Sequence, residues 1–319
     1  MNFTDIKDFR EAHIHQQSNH DELNEFHDEI MRKTVQLAMK KMEEEQGEIP
    51  APFAFFLMGS AGRSEQSIWS DQDHGIVFDG SETHQHYFLQ LGEKIVDGLE
   101  IAGYEQCDGK VMSSESRWTK SVYGWKKQVV DWLEEESWQS LRHFSTFFDS
   151  RVLVGEARFL QELKEETFQY IDNNPKVMPR LVDNVDFIRK GVGVFGQLLP
   201  EQSGKMSGQI NIKTTTLFPY INSLRLLALC NDLHQAPTMS RFDNLKSKYP
   251  FLSDYQILFN NLLAFKFEFT NDVEEYEEVH YIPLKELSKR HKQELKEFMK
   301  KGTELFDRTK HTIEEECSK

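Results

Sequence analysis

The chain has 319 residues, with 38 Lys and Arg against 53 Asp and Glu, for a formal charge of −15 at pH 7. Acidity of that size argues against a nucleic-acid groove as the main function, because a protein that neutralises phosphates carries a basic patch; small molecules or proteins are the expected partners. With 24 Phe against only 9 Pro and 17 Gly the chain is not low-complexity, and its length is that of one large or two ordinary domains with a real core.

No run reaches the roughly 18 uninterrupted apolar residues of a membrane span. Met1 to Glu11 lacks the basic start and apolar run of a secretory signal, so a soluble, cytoplasmic protein is expected. His13, His15, His20 and His27 have neither zinc spacing nor partner cysteines and read as a frayed polar lead-in. Leu23, Phe26, Ile30, Val35, Met39 and Met42 recur at helical spacing and predict an amphipathic helix. Pro50 and Pro52 break it. The continuous apolar run Phe53 to Met58 then predicts a strand buried on both faces, and a turn at Gly59 leads into a short helix.

His74 to Phe78 predicts a second strand, stopped at Asp79-Gly80, and Thr83 to Ile101 a helix closed at Gly103. Between Ser116 and Leu133, the residues Trp118, Val122, Trp125, Val129 and Trp132 step by three and four, predicting a helix with a core-facing aromatic side. Phe144 to Val154, rich in aromatic and β-branched residues, predicts a third strand ended by Gly155. Beyond Glu156 helical patterns dominate, interrupted at Asn173-Asn174-Pro175, Pro200, Pro219, Pro237 and Pro250. The last, from Leu284 to Lys319, carries Leu284, Leu287, Leu295, Phe298 and Leu305 on one face. The expected organisation is an N-terminal helical segment (1–48), an α/β domain (49–172) and a helical domain (173–319). Gly191-Val192-Gly193-Val194-Phe195-Gly196 has dinucleotide-fingerprint spacing but no preceding strand, so it is set aside. Cys107, Cys230 and Cys317 stand too far apart for a disulfide framework or a metal knuckle and are expected as free thiols.

The informative segment joins the first two strands. Gly59-Ser60 comes directly off an apolar strand, where free backbone N–H groups and a hydroxyl can face a phosphate. Asp71 and Asp73 are two apart at the start of a strand, so the period of two aims both carboxylates to one face. Two such carboxylates repel each other and call for a cation; Mg²⁺ suits them, because it takes a few carboxylates together with substrate phosphate oxygens. The combination points to phosphoryl or nucleotidyl transfer.

Gly59-Ser60, Gly62-Arg63, Glu65-Gln66 and Ser70-Asp71-Gln72-Asp73 resemble the signature of the nucleotidyltransferase superfamily, most closely its DUF294 branch, related to the N-terminal part of the protein-PII uridylyltransferases. Val111-Met112-Ser113, Arg117-Trp118, Trp125 and the stretch Phe147 to Gly155 match the region that follows in that branch. Asn211-Ile212-Lys213 and Asn222 to Leu229 look like its helical partner domain, so the resemblance covers about residues 20 to 265.

The resemblance implies an α+β fold: a nucleotidyltransferase-like mixed sheet with helices, followed by an all-α helical domain. In it, Gly59 and Ser60 hold the triphosphate, Asp71 and Asp73 bind Mg²⁺, and a third carboxylate completes the site. Asp149, inside the third predicted strand, fits that place, with Glu156 as the alternative. The implied activity is Mg²⁺-dependent transfer of a nucleoside monophosphate, uridylyl- or adenylyltransferase-like, from an NTP to a protein or small-molecule hydroxyl in the cleft between the domains. Two ions are expected, Mg²⁺ or Mn²⁺, one activating the hydroxyl and one neutralising pyrophosphate, with Asp149 orienting the hydroxyl. Arg63 and Arg151 are candidate phosphate contacts because guanidinium forks match phosphate oxygens. Lys213 is a candidate from the helical domain. His74, where many relatives carry Asn, reads as packing. The sensor and cyclic-nucleotide-binding modules that often accompany the branch are not expected before a first strand near residue 53, nor are the phosphohydrolase and ligand-sensing domains of the full uridylyltransferases, so PII is not the expected substrate. The rival reading is a non-catalytic nucleotide-sensing or protein-interaction module that keeps the fold; retention of Gly59, Ser60, Asp71 and Asp73 favours the enzyme.

Overall fold

Helix α1 (Phe3–His13) opens the computed structural model, which describes residues 2–316. A capping box starts it: the Asn2 side chain accepts from the Asp5 N–H at 3.0 Å and the Asp5 carboxylate accepts from the Asn2 N–H at 2.7 Å. Phe3, Ile6 and Arg10 are buried, so the N-terminus is an ordered part of the fold rather than a frayed lead-in. Helix α2 (His20–Gln46) buries the expected stripe of Leu23, Phe26, Ile30, Val35 and Met42 and ends at Gly47, whose φ of +86° suits a residue without a Cβ.

Strand β1 (Phe53–Leu57) leads into the short helix α3 (Gly59–Arg63), then β2 (His74–Phe78), α4 (Gln85–Ile101), β3 (Thr119–Ser121), α5 (Val122–Glu135), α6 (Trp138–Phe148), β4 (Arg151–Gly155) and α7 (Ala157–Asn173). The sheet order is β3-β2-β1-β4, with β1 antiparallel to both β2 and β4 and β3 parallel to β2. Every residue of β1 and β2 is buried, as a continuous apolar run requires of interior strands. Helix α4 packs on β2 and β3, α5 on the same two strands, and α2 on β4.

Two expectations are corrected here. The helix predicted from Ser116 begins at Val122, because Thr119–Ser121 pairs with β2 and the Ser121 hydroxyl caps the helix by accepting from the Gly124 N–H at 3.1 Å. Trp118 therefore lies off the helix, yet its ring still packs against Trp125 and Trp132, with centroids 6.1 and 5.7 Å away. The strand predicted from Phe144 to Val154 is half helix: Leu141, Phe144 and Phe148 step by three and four along α6, and only Arg151–Gly155 is extended. Aromatic residues at that spacing fill one helical face as readily as they fill a sheet.

The chain divides into two units, Met1–Tyr170 and Ile171–Lys319. In the second, α8 (Val177–Val185), β5 (Gln209–Asn211), a π-helical turn (Lys213–Leu217), α9 (Phe218–Leu229), α10 (Thr238–Leu245), α11 (Leu252–Thr270), β6 (Tyr281–Pro283) and α12 (Lys289–Glu316) form a helical bundle with one short antiparallel ribbon, β5 against β6. Every residue of α9 after Phe218 is buried, and α8, α10 and α12 pack around it. Gly302 of α12 allows that approach, since a Cβ there would lie 2.7 Å from the Tyr220 ring. Leu284 and Leu287 precede α12 instead of belonging to it. Gly191 to Gly196 lies in a loop between α8 and β5, without the strand-turn-helix context of a dinucleotide site.

Cys107 is a free thiol, whereas Cys230 is disulfide-bonded, which corrects the expectation of three free thiols; Cys317 lies outside the described residues. Among the described residues no helix is long and apolar enough to cross a membrane.

Candidate functional site

The turn after β1 is built on two glycines. Gly59 has a φ of +56°, and a Cβ on it would fall 2.1 Å from Asp73 Oδ2, so the Asp73 carboxylate lies directly against the backbone of the turn. The backbone is tied to the same place by the Met58 N–H donating to Asp73 O at 2.7 Å. At Gly62 a Cβ would lie 1.9 Å from the Asp149 carbonyl oxygen, which fixes α3 against the end of α6. Ser60 is half-buried, its carbonyl accepting from the Glu65 N–H at 2.8 Å. Gly59→Ala should therefore cost about 1–3 kcal/mol in backbone strain alone and displace Asp73; the check is a denaturant midpoint together with divalent-cation affinity.

Asp71, Gln72 and Asp73 alternate as a strand should. Gln72 points inward and is fully buried, its amide donating to Val96 O and Tyr104 O at 3.2 Å each. Asp71 and Asp73, both half-buried, share the other face. A parallel bridge between Asp71 and Glu105 brings a distant segment alongside, and Cys107 comes with it. One carboxylate oxygen from each aspartate and the Cys107 sulfur lie within 4.8 Å of one another. Burial, with help from the Asp73 and Asp71 carboxylates, pushes the Cys107 thiol up to about 12.

His74 is fully buried. Its Nδ1 accepts from the Ser113 N–H at 3.1 Å and its Nε2–H donates to Gln72 Oε1 at 3.1 Å, which sets the tautomer. Burial holds it down at about 3, so it stays neutral and braces Gln72.

Asp149 is fully buried just beyond α6, paired with Arg63 (Nη1 to Oδ2, 2.9 Å), and Arg63 Nε also reaches Glu65 at 2.8 Å. Burial alone would lower the Arg63 pKa, but the Glu65 and Asp149 carboxylates reverse the sign and hold it above the usual guanidinium value. Asp149 is thus brought to Arg63, and the donor group around Asp71 and Asp73 has Cys107 as its third member. Glu156 lies farther off: β4 runs antiparallel to β1 with Arg151 opposite Leu57 and Gly155 opposite Ala54, so Glu156 is exposed at the end of β1 remote from Gly59. Arg151 holds Asp28 of α2 with both guanidinium nitrogens at 2.6 Å and donates through Nε to Ala61 O at 3.0 Å. Both arginines are ion-paired at α3.

Sequence patterns alone did not point to the supports of the loop after α3. His20 Nε2 donates to Ser64 O at 2.9 Å, Asn24 Oδ1 accepts from the Gln66 N–H at 2.8 Å, His27 Nε2 donates to Ser67 O at 2.8 Å, and Arg10 Nη2 donates to Ile68 O at 2.9 Å. His27 completes its pairing by accepting from the Tyr104 hydroxyl at 2.9 Å. The signal is a polar stripe, His20, Asn24 and His27, at helical spacing on one side of α2. His27→Ala removes the imidazole partner of the buried Tyr104 hydroxyl and of the Ser67 carbonyl and should cost about 1–3 kcal/mol. It should also raise hydrogen exchange at residues 64–70.

In the second unit Lys213 starts the π-helical turn and its ammonium donates to His280 Nε2 at 3.2 Å. Burial, then the charges of Lys213 and Lys266, press the His280 pKa down to about 2. A histidine held neutral in the fold but titrating near its ordinary 6.5 when unfolded contributes stability in full above that value. The contribution is lost as pH falls from about 6.5 toward 2. His280→Gln should shift the acid-unfolding midpoint of this unit to lower pH, as followed by circular dichroism.

Residues 5–139 match the family model described as Putative nucleotidyltransferase DUF294, and residues 175–313 match DUF294_C, described as Putative nucleotidyltransferase substrate binding domain. No curated protein matches the chain. The two family models follow one another along the sequence, and the first contains the Gly59 turn and the Asp71 and Asp73 pair. The chain accordingly belongs to the DUF294 nucleotidyltransferase family, its DUF294 match followed by the DUF294_C match.

Proposed function

We propose that this protein is a divalent-cation-dependent nucleotidyltransferase that moves a nucleoside monophosphate from an NTP to a hydroxyl of a protein or small molecule and releases pyrophosphate. The observation that carries this reading is the Asp73 carboxylate pressed on Gly59 with Asp71 beside it, two acids converging where the strand-turn motif is expected to receive a triphosphate. The donor set fits Mg²⁺ or Mn²⁺: two half-buried carboxylates on one face, one of them against Gly59. An ion held by Asp71 and Asp73 would supply charge neutralisation at the phosphate oxygens.

The protein's own groups divide the remaining work. The Ser60 hydroxyl and the backbone of the Gly59 turn receive the phosphates. Gln72 and His74 hold the two aspartates in alternation from below. Arg63, through Asp149 and Glu65, and Arg151, through Asp28 and Ala61, keep α3 in register with the aspartates; they are positioning residues in this reading. Lys213 would supply positive charge for an anionic substrate group from the substrate-binding domain. Residues 49–172 form the catalytic domain and 173–319 the substrate domain on this view, and a cytoplasmic location follows from the use of NTP.

The test is release of pyrophosphate from each NTP with Mg²⁺ or Mn²⁺, combined with transfer of α-labelled nucleotide to components of a cell extract. Transfer of label to a discrete acceptor supports the proposal. Tight NTP binding without release of pyrophosphate in any extract would favour the sensing module instead.

A further inference from the structure

Cys107 has no part in the chemistry above, yet its sulfur shares the space between Asp71 and Asp73. We propose that Asp71, Asp73 and Cys107 together form a carboxylate–thiolate site for a thiophilic divalent cation of the Zn²⁺ and Cd²⁺ class, which competes there with Mg²⁺. The inference rests on the reading of Asp71 and Asp73 as a cation site and adds the ligand that selects among ions.

Three features support it. The ligand atoms lie within 4.8 Å of one another, close enough for side-chain rotation to draw them onto one ion with metal–oxygen bonds of about 2.0–2.2 Å and a metal–sulfur bond of about 2.3 Å. The backbone of all three residues is restrained by neighbouring contacts. Gly59 and the Met58 N–H hold Asp73, and the Glu105 bridge and the Lys110 N–H to Cys107 O bond (2.8 Å) hold the other two. All three are also half-buried, so an ion can reach them from solvent. Magnesium gains little from sulfur, whereas Zn²⁺ and Cd²⁺ bind thiolate strongly, so one added thiol changes the order of preference. On binding, the Cys107 S–H bond breaks, a sulfur–metal bond forms and one proton passes to solvent; no oxidant or reductant is involved.

Titration of the full-length protein with Cd²⁺ tests this, with the Cys230 disulfide left intact, read by the ultraviolet sulfur-to-cadmium charge-transfer band. Mn²⁺ binding is read in parallel by electron paramagnetic resonance. The wild type should show a band saturating at one ion. Cys107→Ser should lose the band and bind Cd²⁺ at least about tenfold more weakly, since even partners behind a ligand contribute on the order of 10- to 100-fold. Its Mn²⁺ affinity should stay within about twofold of wild type, because a hard ion does not use the sulfur. Asp71→Asn/Asp73→Asn should weaken both ions. Matching thermal melts exclude misfolding as the cause.

Unchanged Cd²⁺ binding in Cys107→Ser, or in the double aspartate variant, overturns the proposal. If Cys107→Ser binds Cd²⁺ normally while Mn²⁺ still requires the aspartates, only the thiolate inference falls. If the Cd²⁺ site behaves as expected but the wild type transfers no nucleotide, only the transferase reading falls.

Discussion

Asp71→Asn/Asp73→Asn should lower metal-dependent pyrophosphate release by on the order of 10³-fold or more while leaving the fold intact. Both side chains are half-buried, and neither is an interior charge on which the core depends. Replacing them by isosteric amides removes like-charge repulsion, so stability should stay within about 0.5 kcal/mol of wild type or rise slightly. The catalytic loss has a different origin. Without carboxylates the site cannot hold a divalent cation, and the several kcal/mol of charge stabilisation that such an ion supplies to a phosphoryl group disappears; about 4 kcal/mol corresponds to a thousandfold. Steady-state pyrophosphate release and Mn²⁺ affinity, measured on the same preparations, check the prediction. Undiminished turnover in the double variant would remove Asp71 and Asp73 from the mechanism.

Arg63→Met should destabilise the first unit by about 3–5 kcal/mol, the usual consequence of stripping a buried ion pair of one partner. Asp149 is 0% exposed and Glu65 4%, and both lean on the same guanidinium. Deleting it leaves two carboxylates without their shared cation in a medium where an unpaired charge is heavily penalised. The denaturant midpoint should fall with little change in slope, because the area exposed on unfolding is nearly the same. A second substitution, Asp149→Asn, should recover part of the loss by removing one stranded charge; a double variant no better than Arg63→Met would show that the pair is not the source. Asp149→Asn alone also separates two roles for that residue. If Asp149 acts through Arg63, its loss lowers stability and leaves Mn²⁺ affinity unchanged, whereas a metal ligand would take the affinity with it.

Local patterns are legible in the amino-acid order itself. Phe53 to Leu57 is apolar at every position because β1 is covered on both faces, and the Asp71-Gln72-Asp73 alternation predicts one shared face because a strand has a period of two. Gly59 stands out in the sequence as a turn, and its positive φ and contact with Asp73 supply the physical reason. Patterns that satisfy two periods at once are ambiguous. Phe144, Phe147 and Phe148 suit a strand by composition and a helix by spacing, and α6 takes them. Trp118 falls on the helical period of Trp125 and Trp132 while belonging to the turn before β3.

The sequence by itself determined the local frame of the proposed site: a strand, a Gly-Ser turn and two alternating aspartates, all set between Phe53 and Asp73 by backbone geometry. Only the tertiary structure decided the company those residues keep. Cys107 joins them through a bridge between Asp71 and Glu105, Arg63 meets Asp149 across 86 positions, and His20, Asn24 and His27 hold a loop some forty residues downstream. Strand and helix periodicity act over neighbouring residues and leave a direct trace in the sequence. A contact between distant segments is set by packing of the whole unit, and its partners carry no mark of one another until the chain has folded.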